Sequence, residues 1–202
     1  MSMPTPAFAV TFDYRCPFAR IAHEHVVTAL QGDAGWDVRF VPLSLSQLKV
    51  EPGGTDVWDA PETDSGLTAL EMAVAVRDTQ PEKFLAAHAA LFSLRHDQGG
   101  DLRDPAQLRA ALEGAGVDVD AVLEELATGV PRKTVREDHE WAVAEHGAWG
   151  VPTFIVADQA VFVRLMDRPA DVDDARRTIE RIVNLGAGWP ALNEFKHTRL
   201  PR

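Results

Sequence analysis

Residues 8–22 read FAVTFDYRCPFARIA. Phe8 to Tyr14 alternates β-branched and aromatic residues with small or polar ones, the pattern of a strand. Cys16-Pro17 follows, with Pro17 where the first turn of a helix best tolerates proline. Beyond it Phe18, Ile21, Ala22, Val26, Ala29 and Leu30 fall near helical spacing, and Gly32 closes the run. Val38 to Leu45 (VRFVPLSL) is a second strand, in which Pro42 implies an edge, a bulge or an early end. The first 45 residues therefore predict a right-handed βαβ unit.

The next hundred residues carry almost no strand character. Leu67, Leu70 and Val74 form one apolar stripe, and Phe84, Leu85, His88, Leu91 and Phe92 form a better one. Residues 105–113, 118–126 and 133–146 continue in helical style, with acidic or proline starts and glycine stops. Residues 55–147 are thus expected to be an all-helical insertion between two parts of one domain, 1–54 and 148–202. Strand character returns at residues 152–156 (PTFIV), turns at 157–159 and resumes at 160–165 (AVFVRL), a predicted hairpin. A last helix is expected over residues 170–185, with Val172, Ala175, Ile179 and Ile182 on one face. The order is βαβ, helical block, ββα.

Composition bounds the function. With 202 residues, 46% of them hydrophobic, the chain can bury a core without disulfide or metal staples. Its net charge of −11 would repel nucleic acid and anionic membrane surfaces. No stretch approaches the roughly 18 apolar residues of a membrane span, and residues 1–7 lack the basic and apolar regions of a secretory signal. One cysteine forms no internal disulfide, and a free thiol fits a reducing compartment, so a cytoplasmic location is expected. None of the seven histidines joins a Cys/His cluster at zinc spacing, so no metal site is expected. His23 is expected on the solvated face of its helix, and His88, on an apolar stripe, in the core. There is no GxGxxG, P-loop or GxSxG segment to support nucleotide binding or serine hydrolysis.

Cys16 is the residue with the clearest chemistry. A thiolate is the reactive form of cysteine and is favoured where the unpaired N–H groups and positive end of a helix converge. An ordinary cysteine, with pKa about 8.5, is only a few per cent ionised at pH 7. A helix start that lowers that value makes Cys16 a nucleophile; the alternative is a small buried hydrophobe, a common fate of free cysteine. Trp58, Trp141 and Trp149 are aromatic enough to floor a pocket, and Trp149 is the best placed of them; the other two are expected to pack the helical insertion.

The segment Asp13-Tyr14-Arg15-Cys16-Pro17-Phe18-Ala19 resembles the active-site segment of the DsbA-like branch of the thioredoxin superfamily. Trp149-Gly150-Val151-Pro152-Thr153-Phe154 resembles that family's Gly-Val-Pro-Thr loop, in which the proline follows a cis bond and faces the catalytic cysteine. The resemblance implies an α/β thioredoxin-like fold carrying the helical insertion. It implies a thiol–disulfide oxidoreductase with Cys16 as nucleophile, and Pro17, Phe18, Trp149, Val151 and Pro152 around its substrate. The family's dithiol members have Cys-x-x-Cys; here the fourth position is Ala19, so an external thiol must release any mixed disulfide. A low-molecular-weight thiol, mycothiol or glutathione, is then the expected co-substrate, with no permanently bound cofactor, and the partner a disulfide or electrophilic small molecule.

Residues 194–199, Glu-Phe-Lys-His-Thr-Arg, resemble the tail of actinobacterial mycothiol-dependent reductases of this branch. Met166-Asp167-Arg168-Pro169 is similar to the segment before the last helix of kappa-class glutathione transferases and their isomerase relatives, which implies a thiol-cofactor contact for Arg168; a solvated turn is the alternative. A thiol transferase or isomerase, and a redox-inactive binding module, are the competing functions.

Overall fold

β1 (Ala7–Phe12) sits inside the molecule because both of its faces are covered: five of its six residues are buried, Thr11 among them. In the computed structural model, which describes residues 6–192, 194, 196 and 197, it is an inner strand of a four-stranded sheet ordered β2-β1-β3-β4. β2 (Asp37–Pro42) runs parallel to β1, in register from Ala7 opposite Asp37 to Phe12 opposite Pro42. Pro42 closes an edge strand, where its missing N–H costs no ladder bond. β3 (Thr153–Val156) pairs antiparallel with β1 and, through a two-residue turn at Ala157-Asp158, with β4 (Gln159–Phe162). The predicted second arm of the hairpin ran to Leu165; the ladder ends at Phe162, with one further bond from the Val163 N–H to the Pro152 carbonyl.

Helix α1 (Pro17–Gln31) connects β1 to β2 and turns Ala19, Ala22, His23, Val26 and Ala29 inward. It packs against α7 (Val172–Gly188), which covers β3 and β4. Gly32 ends α1 where α7 begins: a Cβ on Gly32 would stand 2.2 Å from Val172 Cγ1, so any side chain there would have to push Val172 aside. Between β2 and β3 lie α2 (Leu67–Thr79), α3 (Phe84–His96), α4 (Pro105–Gly114), α5 (Val119–Ala127) and α6 (Val130–Glu140), with a π turn at Trp141–Glu145. α3 touches α1 and α6 touches β2, which fastens the helical block to the sheet domain. Trp58 is buried in the block, and Trp141 stacks under the Arg39 guanidinium at 3.9 Å. No helix among the described residues is long and apolar enough to cross a membrane. Residues 1–5 and, in the C-terminal segment, Phe195, Thr198 and Arg199 lie outside the described residues.

His23 departs from expectation. It is 1% exposed and faces the core rather than solvent. The reason is a polar partner that periodicity alone does not show: its Nε2 lies 3.1 Å from the Thr11 carbonyl and its Nδ1 lies 2.8 Å from His88 Nε2. His88 is fully buried, as its stripe implied, and its Nδ1 lies 2.7 Å from the Tyr14 hydroxyl. A carbonyl only accepts, so His23 Nε2 carries the hydrogen and its Nδ1 is bare. His88 Nε2 must then donate to His23, and Tyr14 must donate to His88. One neutral protonation pattern satisfies the whole chain from Tyr14 to Thr11.

Candidate active site

The turn from β1 into α1 is held by a buried carboxylate. Asp13 accepts the backbone N–H groups of Arg15 and Leu45, each at 2.9 Å, and pairs with the Arg15 guanidinium. Arg15 also reaches Ser46 Oγ at 2.7 Å and Asp64 at 2.9 Å. Asp64 in turn accepts the Ser44 hydroxyl and the Gly66 N–H. A Cβ on Gly66 would stand 2.8 Å from Arg15 Nε, so glycine leaves the guanidinium its path. Tyr14, between the two charged residues, is pinned by His88 through its hydroxyl and by His96 through its carbonyl. Sheet, α3 and the entrance to α2 all meet at residues 13–15.

That frame delivers Cys16 to the N-cap of α1. Its backbone is extended (φ −89°, ψ 117°), and its sulfur accepts the Ala19 N–H at 3.4 Å. The thiol points at the Val151 carbonyl, also at 3.4 Å. The Val151–Pro152 bond is cis. The loop around it is fixed from below: Thr11 Oγ1 accepts the Thr153 N–H at 2.8 Å, and Thr153 Oγ1 donates to the Gly150 carbonyl at 2.8 Å. Burial pushes the Cys16 thiol up from its ordinary value, against opposing N–H contacts from Ala19 and Phe18. Asp13 adds to the rise and Arg164 works against it. Helix-end contacts are therefore present as the sequence implied, but desolvation outweighs them.

The rim is aromatic. Trp149 is 68% exposed and packs on Phe162, with ring centroids 4.3 Å apart. Arg164 lies two residues past Phe162, its guanidinium carbon 5.8 Å from that ring and 5.2 Å from the Phe18 ring. Trp149, Phe162, Arg164 and Phe18 thus form one run of contacts, while Cys16 meets the buried Val151 and Pro17 is exposed at the start of α1. Arg168 is placed elsewhere. It is 62% exposed and pairs at 2.8 Å with Glu24, eight residues from Cys16 along α1, or about 12 Å of helix. Two cavities lie away from the sulfur, one between β2 and helices α2 and α3, the other between α3 and α4.

Sequence reasoning missed Asp13, Arg15, Asp64 and Arg164. The first two were visible as charged residues where a strand becomes a helix. Asp64 and Arg164 carry no local signal, because only the fold brings Asp64 to Arg15 and Arg164 to Phe18.

Comparisons with known proteins agree with this geometry. Among curated protein sequences none matches the chain. Solved structures with the same fold include Proteus mirabilis ScsC in a compact conformation, at 18% identity and TM-score 0.56, covering 90% of this chain and 83% of that one. The thiol-disulfide exchange protein alpha-DsbA2 from Wolbachia pipientis is 16% identical with TM-score 0.57, over 90% and 84% of the two chains. A putative protein disulfide isomerase from Nitrosomonas europaea reaches TM-score 0.63 at 13% identity, over 89% and 98%. Residues 9–175, from β1 through the helical block into α7, match the DSBA-like thioredoxin domain, and the chain belongs to that family.

Proposed function

We propose that the protein is a monothiol thiol–disulfide exchange enzyme whose nucleophile is Cys16. One observation carries the reading: the sole cysteine caps α1 with its sulfur 3.4 Å from the Val151 carbonyl, beside the cis Pro152. In the first step Cys16 loses its proton to solvent and attacks a disulfide. The Cys16 S–S bond forms, the partner's S–S bond breaks, and the departing thiolate takes the electron pair. A partner in extended form pairs with the Val151 backbone as an added strand, with Phe18 and Trp149 at its flanks. With Ala19 in the fourth position, a second thiol from solution releases Cys16. Mycothiol or glutathione is proposed for that role, and a reducing compartment such as the cytoplasm for its setting.

The raised thiol sets the pace of this cycle. At neutral pH most of Cys16 is protonated in the free protein, but the thiolate that does form is the more nucleophilic for its higher pKa. A redox-silent binding module is the second reading, favoured by the same burial of the thiol. Intact-mass analysis after incubation with glutathione disulfide separates the two. A gain of one glutathionyl group, reversed by excess glutathione and absent in a folded Cys16→Ser variant, is expected. Turnover retained by Cys16→Ser, or no adduct on the wild-type protein, overturns the enzyme reading.

A further inference from the structure

We propose that Arg164 is an anion-binding subsite, and that the disulfide taken by Cys16 is a small molecule carrying a carboxylate near its sulfur. The inference rests on Cys16 being the exchange nucleophile and adds the chemical class of its partner. Its grounds are the position and the idleness of this cation. Acidic residues outnumber basic ones by 31 to 20, so most exposed arginines find a carboxylate. Arg164 pairs with none among the described residues. It is instead shelved between two rings, Phe162 at the end of β4 and Phe18 on α1, the latter two residues from Cys16.

The shelf follows from the strand. Phe162 and Arg164 are two residues apart, so an extended chain turns both to the same side. The Val163 N–H bond to Pro152 keeps that extension one residue beyond the ladder. Trp149 flanks Phe162, and a Cβ on Gly150 would touch the Phe162 ring at 3.3 Å, so loop and strand meet closely. A partner lying across Cys16 therefore meets, in order, a sulfur nucleophile, an aromatic wall and a guanidinium that pairs with no carboxylate among the described residues. Guanidinium binds a carboxylate through a planar fork. In the exchange step the same charge favours an anionic thiolate leaving from that side, while Cys16 is oxidised and the partner's S–S bond is reduced.

The test compares disulfides that differ in charge. Second-order rates of Cys16 with 5,5′-dithiobis(2-nitrobenzoate), which bears a carboxylate on each half, are divided by those with neutral 4,4′-dithiodipyridine. The ratio removes any general effect of Arg164 on the Cys16 thiol. It is expected to fall about fivefold in Arg164→Gln, to be partly kept in Arg164→Lys, and to shrink with salt only where the charge is present. An unchanged ratio in Arg164→Gln overturns the subsite. Calorimetric titration with 4-(methylthio)benzoate and its neutral amide reads the same preference without any exchange chemistry. Equal affinity for the two in the wild-type protein also overturns it. Failure of Cys16 to react with the neutral disulfide counts against the exchange reading alone, and the titration still decides the subsite.

Discussion

At Cys16 two opposite electrical effects meet. N–H groups of Ala19 and Phe18 favour the thiolate, while burial favours the thiol, and burial wins. The pH profile of alkylation by iodoacetamide is accordingly expected to have its midpoint above the ordinary cysteine value of about 8.5. Reaction at pH 7 should be slower than that of a free cysteine peptide; a midpoint below that value would show that the helix end dominates. The cysteine's place at the helix start was legible in residues 13–19. The loop that meets its sulfur, through Val151 135 residues further on, was expected from the family resemblance; that burial outweighs the helix end was not, because it depends on atoms packed there by the whole fold. A second residue carries comparable weight. Asp13→Asn leaves the Arg15 guanidinium part-buried with one of its two carboxylate partners lost, and should cost about 3 kcal/mol in urea unfolding. A loss under about 1 kcal/mol would mean that Asp64 alone holds the arginine.

Among elements, α1 shows what spacing does and does not reveal. Apolar periodicity located the helix and its glycine stop, and of the residues at that spacing Ala22, Val26 and Ala29 are buried and Leu30 packs against the core; Ala19, His23, His25 and Val27 are buried as well, while Phe18 and Ile21 are only half-buried. Small residues face inward because α1 lies close under neighbouring elements, and a histidine joins them because a carbonyl and a second histidine await it. The contact of α1 with α7 makes this testable. Gly32→Ala sets a methyl 2.2 Å from Val172 Cγ1 and should destabilise by about 1–3 kcal/mol. Gly114→Ala, at the end of α4 with nothing within 4 Å of the new methyl, should be neutral or stabilising by up to about 1 kcal/mol. Equal unfolding midpoints for the two variants would show that the α1–α7 contact opens at little cost.

Across the whole molecule, the βαβ–helices–ββα order was readable because each element has its own hydrophobic period. What joins the two halves was not, since it consists of contacts between residues far apart in sequence: packed rings such as Phe40 on Phe84 and Tyr14 on Phe92, and a chain of polar bonds among them. His88 on α3 bonds Tyr14 beside Cys16 and His23 on α1, and every nitrogen of the pair is used only while both rings are neutral. Burial holds His23 down at about 4 and His88 well below its ordinary value. His139, buried against the Trp58 ring, is likewise held at about 4. In the unfolded chain all three titrate near 6.5, so below that pH the unfolded state binds more protons and stability must fall. Between pH 7 and pH 5, His23 and His139 each remove about 2 kcal/mol by this linkage, and His88 adds to the loss. This window lies above the range where most exposed carboxylates protonate, which keeps the histidine contribution separable. Urea unfolding at pH 7, 6 and 5 should show a steadily falling midpoint. In His88→Phe the slope with pH should flatten even though the variant starts less stable, because Tyr14 and His23 are left without their partner. A wild-type midpoint that stays level from pH 7 to pH 5 would mean that these histidines accept protons without unfolding, and that the bond chain from Tyr14 to Thr11 does not tie the helical block to the site.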